Sequence, residues 1–386
     1  MVIEGRDTRP DQLTATNLIR LPSYVASGVR YHAAGRIYTP KPIYVGLRVT
    51  RRCNAEGITY PDGRNEDNGG ELAISEIRGV LGSSLFESVE KFVLGGGEAT
   101  LRGDLLEIAE IVLDSCPQLK EMLLRTNGME PALVVERVGE ILELPGYSRL
   151  NRFSVSVSLD GYGDTLESIT KVTQAFDRVS ETIDRLKNLK RKRPFYLCAV
   201  CTVMPFNIGD LARLSEFSRE QGLPISFVPM NSGGRMHLNS AVDDATEGSL
   251  RLNANHVEEL DSLFGREAKI DLPLSNIPFW REYFGIINGD KRKLPCSLRH
   301  QHAGIDSDGT VYACVPAMSL TYGNVRDETP DRLWYSDRAM EIRKKIKKHF
   351  CPRCVDSSDM AFSLRHEFFY YAGFLLRERA KNLLRK

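Results

Sequence analysis

Two rhythms of apolar and polar positions organise most of the chain. "IYVGLRV" (Ile43–Val49) predicts a strand. A long loop rich in glycine, aspartate and asparagine follows, and then a helical pattern over Ile74–Leu85. "KFVLGGGE" (Lys91–Glu98) reads as a strand running into glycines, and "GDLLEIAEIVLDSC" after it repeats its apolar residues at helical spacing. Strands are predicted again at Glu121–Gly128, Arg152–Gly161, Phe195–Pro205 and Ile225–Met230, with helices at Pro131–Leu144, Thr173–Leu189 and Asp210–Gln221 between them. Such strand–helix alternation implies parallel strands joined by crossover helices. From pattern alone, a doubly wound open sheet and a partial barrel both remain open. In either, ligands gather beyond the C-terminal strand ends, where Cys53, the Gly95–Glu98 loop, Asn127–Gly128 and Asp160 fall.

Outside this region the pattern changes. The first forty residues read as a polar start followed by a predicted helix over about Leu18–Ala34. After Ser232 a glycine-rich and polar stretch leads to helical patterns at Val257–Phe264 and Phe279–Ile287, a cysteine-bearing unit at Leu294–Asp359, and a last helix from about Phe362. The domain reading is therefore 1–40, an N-terminal helical extension; 41–232, the core; 233–293, a connecting helical segment; 294–359, the cysteine unit; and 360–386, a basic C-terminal helix.

Composition adds little to this picture at first. The 386 residues are 42% hydrophobic and 27% charged, an ordinary globular mixture, and a net charge of +1 gives no case for nucleic acid. The charge is uneven, however: Glu341–Lys386 holds twelve Lys/Arg against five Asp/Glu. That end is expected to dock as a helix on the core, with attachment to a membrane surface as the alternative. No signal-peptide pattern and no apolar run near the roughly 20 residues of a membrane span is seen. The expected compartment is the cytoplasm, where cysteines serve as metal ligands or free thiols.

The eight cysteines then separate into groups. Cys116, at a helix end, reads as a buried core residue. Cys198 and Cys201 form a C-x-x-C inside a strand, so their side chains point to opposite faces and do not share a metal. Cys296, Cys314, Cys351 and Cys354 differ, lying within 59 residues. Cys314 ends "GIDSDGTVYAC", a predicted hairpin, and "CPRC" is a close pair stiffened by Pro352. Four such thiols match a zinc site or an iron–sulfur cluster. The seven histidines show no ligand spacing except His300-x-His302, read as a surface pair or as neighbours of a ligand.

From about Pro42 to Asp359 the chain resembles the radical S-adenosylmethionine (SAM) superfamily, in the branch with a C-terminal twitch or SPASM-type unit. The resemblance rests on "LRVTRRCN", "FVLGGGEATLRGDLLEI", "RTNG", "VSVSLDG", "MPFN" and "CSLRHQHAGIDSDGTVYAC" followed by "CPRC", in that order. It implies an α/β fold, a partial (βα)₆ TIM-like barrel, and SAM contacts at Gly96, Gly97, Glu98, Asn127, Ser158 and Asp160. It also implies an auxiliary [4Fe–4S] cluster on Cys296, Cys314, Cys351 and Cys354, serving electron transfer because all its irons are ligated. A gly-rich turn alone could equally cradle phosphate, but the Glu98 carboxylate suits an ammonium group better.

The chain departs from the family at the SAM cluster. The family spacing C-x₃-C-x₂-C reads here as Cys53, Gly57 and Tyr60, so Cys53 is the residual ligand. Glycine offers no donor, and tyrosine oxygen is poorly matched to an iron–sulfur cluster. Nothing in the spacing of Glu56, Asp62, Glu66 or Asp67 asks them to substitute. Ala99 stands where proline usually follows the Gly-Gly-Glu segment. The expectation is one auxiliary cluster, no second cluster, and no reductive SAM cleavage, with no catalytic residue assigned. Cysteines at 57 and 60 are expected to add a second cluster. A flavodoxin or ferredoxin is the electron donor the family implies for an active member. The alternatives are a non-catalytic binding or scaffold protein on the same fold, and a structural zinc protein.

Overall fold

The computed structural model describes residues 37–57, 70–230, 252–264, 277–293 and 298–356, with Ile270, Cys296 and a few isolated positions near the ends. The predicted helix at Leu18–Ala34, most of the helix from Phe362, the stretch Ser232–Leu250, and Tyr60, Asp62, Glu66 and Asp67 lie outside the described residues.

Six parallel strands form the core: β1 (Tyr44–Thr50), β2 (Lys91–Gly96), β3 (Glu121–Thr126), β4 (Arg152–Ser158), β5 (Tyr196–Val203) and β6 (Ile225–Pro229). Between them run α1 (Ile74–Leu81), α2 (Leu105–Ser115), α3 (Pro131–Glu143), α4 (Asp164–Thr170), α5 (Ala175–Lys192) and α6 (Leu211–Glu220). The strands stand in sequence order, β6-β5-β4-β3-β2-β1. A doubly wound sheet reverses its order at a switch point. The absence of any reversal resolves the two alternatives in favour of a singly wound, partial barrel.

Each crossover helix packs because its apolar residues fall on one stripe. In α2, Leu105, Ile108, Ala109, Ile111, Val112 and Leu113 are buried, while Glu107 and Glu110 are not. The strands bury residues on both faces, as sheathed parallel strands do. The helix predicted over Thr173–Leu189 is present as α5, and a short helix not predicted, α4, precedes it. Lys171 and Gln174 adopt left-handed backbone (φ 58° and 56°), which stops α4 and restarts the chain as α5.

Beyond the barrel come α7 (Val257–Phe264), α8 (Ile277–Ile287) and α9 (Leu298–Gln301), then β7 (His302–Ile305), β8 (Thr310–Tyr312) and β9 (Thr321–Asn324), then α10 (Pro330–Tyr335) and α11 (Asp337–His349). The predicted hairpin is present as the antiparallel pair β7–β8. Its position was not anticipated: β7 pairs in parallel with β1, Tyr44 opposite His302, so one nine-stranded sheet runs through barrel and cysteine unit alike. His302 is buried here rather than at the surface, its ring against Tyr44 and its Nδ1 bonded to the Ala313 carbonyl at 2.6 Å. No helix among the described residues is long and apolar enough to cross a membrane.

Candidate functional site

The first site lies where β1, β2 and β3 end. The β1–β2 register slips between Arg48 and Thr50, and the chain then turns across the end of β2 towards Cys53. Gly97 N–H donates to the Thr50 carbonyl (2.9 Å) and Glu98 N–H to the Arg52 carbonyl (2.8 Å). This crossing explains the glycines. Gly96 has φ +149°, and a Cβ there would overlap the Thr50 carbonyl, while one on Gly97 would overlap the Arg52 carbonyl. Backbone approach requires both to lack a side chain.

Glu98 is buried, and its carboxylate is occupied within the protein. Oε2 accepts the Asn127 N–H at 2.6 Å, and Oε1 accepts the Thr100 hydroxyl at 2.7 Å and its N–H at 3.2 Å. Burial raises the pKa of this carboxyl, opposed by those donors. The side chain therefore joins the ends of β2 and β3, and the groups it leaves for a ligand on this edge are those of the backbone. Asn127 reaches back to the cysteine loop, its Nδ2 donating to Asn54 Oδ1 (2.8 Å) and to Cys53 Sγ (3.5 Å), while its Oδ1 accepts from Met129 N–H. Cys53, Glu98 and Asn127 are thus brought together. Burial, and then the charge of Glu98, raise the Cys53 thiol pKa, with the Ala55 N–H and Asn127 acting against them.

Ser158 and Asp160 do not join this group through any hydrogen bond. Ser158 is exposed at the end of β4. Asp160 is buried and accepts the Thr202 N–H at 2.6 Å, and burial holds its carboxyl up at about 6. Its carbonyl accepts from Asn207 Nδ2 at 2.6 Å, and Asn207 also donates to the Thr202 carbonyl. Asn207, the asparagine of "MPFN", is a staple across the ends of β4 and β5.

The loop beyond Cys53 is pinned elsewhere. Glu56 N–H donates to the Thr170 carbonyl at the end of α4 (3.1 Å), and Gly57 is buried there. A Cβ on Gly57 would stand 2.9 Å from the Ile169 carbonyl oxygen and 3.4 Å from Thr170 Cα. Position 57 lacks a thiol and, in this conformation, lacks the space for one.

The second site gathers the late cysteines. Cys314 follows β8 and is buried, and Cys351 and Cys354 bracket the single 3-10 turn after α11. Their surroundings are shared. Burial, then the charges of Cys354, Cys296 and Cys351, push the Cys314 thiol pKa far up. Burial similarly raises Cys296, and raises Cys354 to about 12. Two arginines face the group. Arg299 Nη1 donates to Cys351 Sγ at 3.7 Å, and its Nε donates to the buried His300 ring. Arg292 is held by the carbonyls of Cys354 (3.2 Å) and Asp356 (3.0 Å). Against the cost of burial, the charges of Cys296, Cys354 and Asp356 keep its guanidinium pKa above the ordinary value. His300, read from sequence as a surface residue or a ligand's neighbour, is buried rather than at the surface. Burial and then the adjacent Arg299 hold its pKa down at about 3. Among the described residues, no three His, Cys, Asp or Glu side chains stand in single-ion geometry, so the thiols share a neighbourhood without closing on one point.

Comparison with known proteins finds family models over the regions that hold the two sites. A model of the radical SAM superfamily matches residues 52–217, and one of an iron–sulfur cluster-binding domain, SPASM, matches residues 296–355. The chain belongs to the radical SAM superfamily. Among curated radical SAM relatives, probable GTP 3′,8-cyclases of Methanococcus maripaludis and Methanococcus vannielii are 28% and 33% identical over 200 and 199 residues. Each match takes in 50% of this chain and 61% of the relative, so the chain spans about three fifths of those proteins' length. A pre-heme d1 synthase of Dinoroseobacter shibae is 24% identical over 340 residues, 82% of this chain and 80% of that protein. The solved structure of anSMEcpe with bound AdoMet aligns at TM-score 0.55 and 18% identity, over 89% of this chain and 99% of that one. SuiB of Streptococcus suis, bound to its precursor peptide SuiA, aligns at TM-score 0.55 and 14% identity, over 90% and 82%. These likenesses carry the fold.

The family implies iron–sulfur clusters and SAM, and the two sites of this radical SAM chain meet that demand unequally. Cys314, buried, and the partly buried Cys296, Cys351 and Cys354, with Arg292 and Arg299 beside them, are the donor type that a thiolate-bound iron–sulfur centre uses. At the other site, Cys53 is the one thiol among the described residues of its loop, and Gly57 has no donor.

Proposed function

We propose that this chain is a radical SAM protein that keeps one iron–sulfur centre, on Cys296, Cys314, Cys351 and Cys354, and does not cleave SAM reductively as its sequence stands. The observation that carries this reading is Gly57, which has no donor and whose Cβ direction meets the Ile169 carbonyl at 2.9 Å. A bound centre on the four cysteines supplies one-electron chemistry. Arg292 and Arg299 offset the charge of the thiolates, and His300, kept neutral, accepts a hydrogen bond from Arg299 and so aims it at Cys351. With all four irons ligated by protein, the centre has no position for substrate, and a small acidic electron carrier of the flavodoxin or ferredoxin type is the partner class it requires. The backbone edge at Gly96–Glu98 is kept, which supports SAM binding without its cleavage.

Iron and sulfide are to be quantified on anaerobically reconstituted protein, with EPR after dithionite, SAM calorimetry and assay for 5′-deoxyadenosine. One cluster per chain and no 5′-deoxyadenosine above background is the expected result. Two clusters, or turnover, overturns the reading. Stoichiometric zinc in colourless protein replaces the cluster with the structural zinc alternative.

A further inference from the structure

The root of the Cys53 loop is held by the hairpin of the cysteine unit. Arg48, in β1, and Arg51, just past its end, both donate to Asp306 Oδ2 at 3.1 Å, and Arg51 also donates to Asp308 Oδ2 at 2.8 Å. Asp306 and Asp308 lie in the turn between β7 and β8. The Asp306 side chain is only 8% exposed, and its other oxygen accepts the Ser307 N–H at 2.7 Å. Such an ion pair, desolvated and hydrogen-bonded on both oxygens, is strongly destabilising to break from one side.

The far end of the same loop comes back to the same turn. Glu71 accepts the Thr50 hydroxyl (2.5 Å) and the Arg51 N–H (3.3 Å), and Leu72 N–H donates to the Ser307 carbonyl at 2.7 Å. Arg326, just after β9, donates to the carbonyls of Gly70 (3.0 Å) and Glu71 (3.1 Å). Both ends of the loop that carries Cys53 are therefore fastened to residues 306–308 and 326. The return strand of that hairpin, β8, runs through Ala313 directly into Cys314.

We propose that Asp306 is a positioning residue coupling the two sites, so that the hairpin holding Cys314 also sets the place of the Cys53 loop. Occupancy of the four-cysteine centre stiffens the hairpin and, through Asp306, the segment 49–57. By linkage, whatever orders that segment favours occupancy in return. The coupling rests on the four-cysteine centre proposed above, but the hold of Asp306 on the loop does not require it.

The test compares the parent with Asp306→Asn and Arg51→Met, each reconstituted with iron and sulfide and then stripped with chelator. Arg51→Met leaves the buried Arg48–Asp306 pair in place should Asp306→Asn fold poorly. Two quantities are read: peptide-resolved hydrogen exchange over residues 49–57, and the rate of Cys53 alkylation by mass spectrometry, with buried Cys116 as internal reference. In stripped protein, both variants are expected to alkylate at Cys53 about tenfold faster than the parent, with Cys116 unchanged. Loading is expected to slow exchange at 49–57 in the parent and to lose that effect in the variants at equal iron content. Equal Cys53 rates in parent and variants overturn the positioning role. An equal loading effect in all three overturns the coupling. If no chain takes up iron and sulfide, the coupling falls together with the four-cysteine centre on which it rests, while the stripped rates still decide the role of Asp306.

Discussion

Replacing Gly57 tests whether the SAM-cluster loop has closed around its missing ligand. The smallest perturbation is Gly57→Ala, which adds one methyl 2.9 Å from the Ile169 carbonyl oxygen and 3.4 Å from Thr170 Cα. Both neighbours are backbone at the end of α4, so neither can rotate aside. Overfilling a packed site costs about 1–3 kcal/mol. Gly57 is not among the glycines with positive φ, so no left-handed penalty is added. Stiffening of the unfolded chain returns about 0.4–1 kcal/mol. The net expectation is a loss of about 1–2 kcal/mol, read as a lower urea midpoint at unchanged slope. Gly57→Cys with Tyr60→Cys is expected to gain iron only together with such a loss, because the loop must leave the Thr170 carbonyl to make room. A Gly57→Ala chain as stable as the parent, or a double-cysteine chain that gains a second cluster without losing stability, refutes the closed-loop reasoning.

Three further outcomes follow from the geometry. Asp160→Asn is expected to stabilise the chain by about 2–3 kcal/mol at pH 7, from a shift of some two pKa units at about 1.4 kcal/mol each. The sign follows from burial: the folded carboxyl, held at about 6 against an ordinary 3.8, keeps a proton that the unfolded chain releases, so the parent loses stability as pH rises from about 4 to 6. The gain should vanish near pH 4 in urea titrations, and a pH-independent gain would point to another cause. Gly96→Ala is expected to cost about 3 kcal/mol or more, because strained backbone and overlap with the Thr50 carbonyl coincide there, whereas Gly103→Ala, with nothing within 4 Å, should be tolerated. Arg292→Met, measured by spectroelectrochemistry at matched iron content, should move the centre's midpoint to more negative potential by about 59 mV, a tenfold change for one electron; an unmoved midpoint removes Arg292 from the charge balance of the centre.

Much of this architecture could be read from the chain because the signals were local. The strand–helix rhythm placed all six barrel strands, and turn residues marked the hairpin before Cys314. The close approach at Gly96 and Gly97 was visible as glycine but not as a crossing over Thr50 and Arg52, since the partner lies in another strand. Glu98 was expected to face a ligand; the fold turns its carboxylate onto Thr100 and the Asn127 N–H, a choice that depends on where β3 ends. Asp306 looked like an ordinary turn residue. Its partners, Arg48 and Arg51, stand 258 and 255 positions away, and no pattern in one sequence joins them. Arg292 and Arg299 were equally silent, because their meaning comes from the cysteines they face and not from their neighbours along the chain.

The continuous nine-stranded sheet also sets a timetable for synthesis. β1 is made early, with Tyr44, Val45, Leu47 and Val49 all destined for burial, yet one of its two edges is completed only by β7. At roughly 5–20 residues per second, the 258 residues between Arg48 and Asp306 take about 13–50 s to emerge. Through that interval the ribosome-bound chain presents an apolar strand edge able to pair with any other. A fragment ending before His302 never covers it, and such fragments are expected to aggregate or to remain with chaperones, although they contain every strand of the barrel.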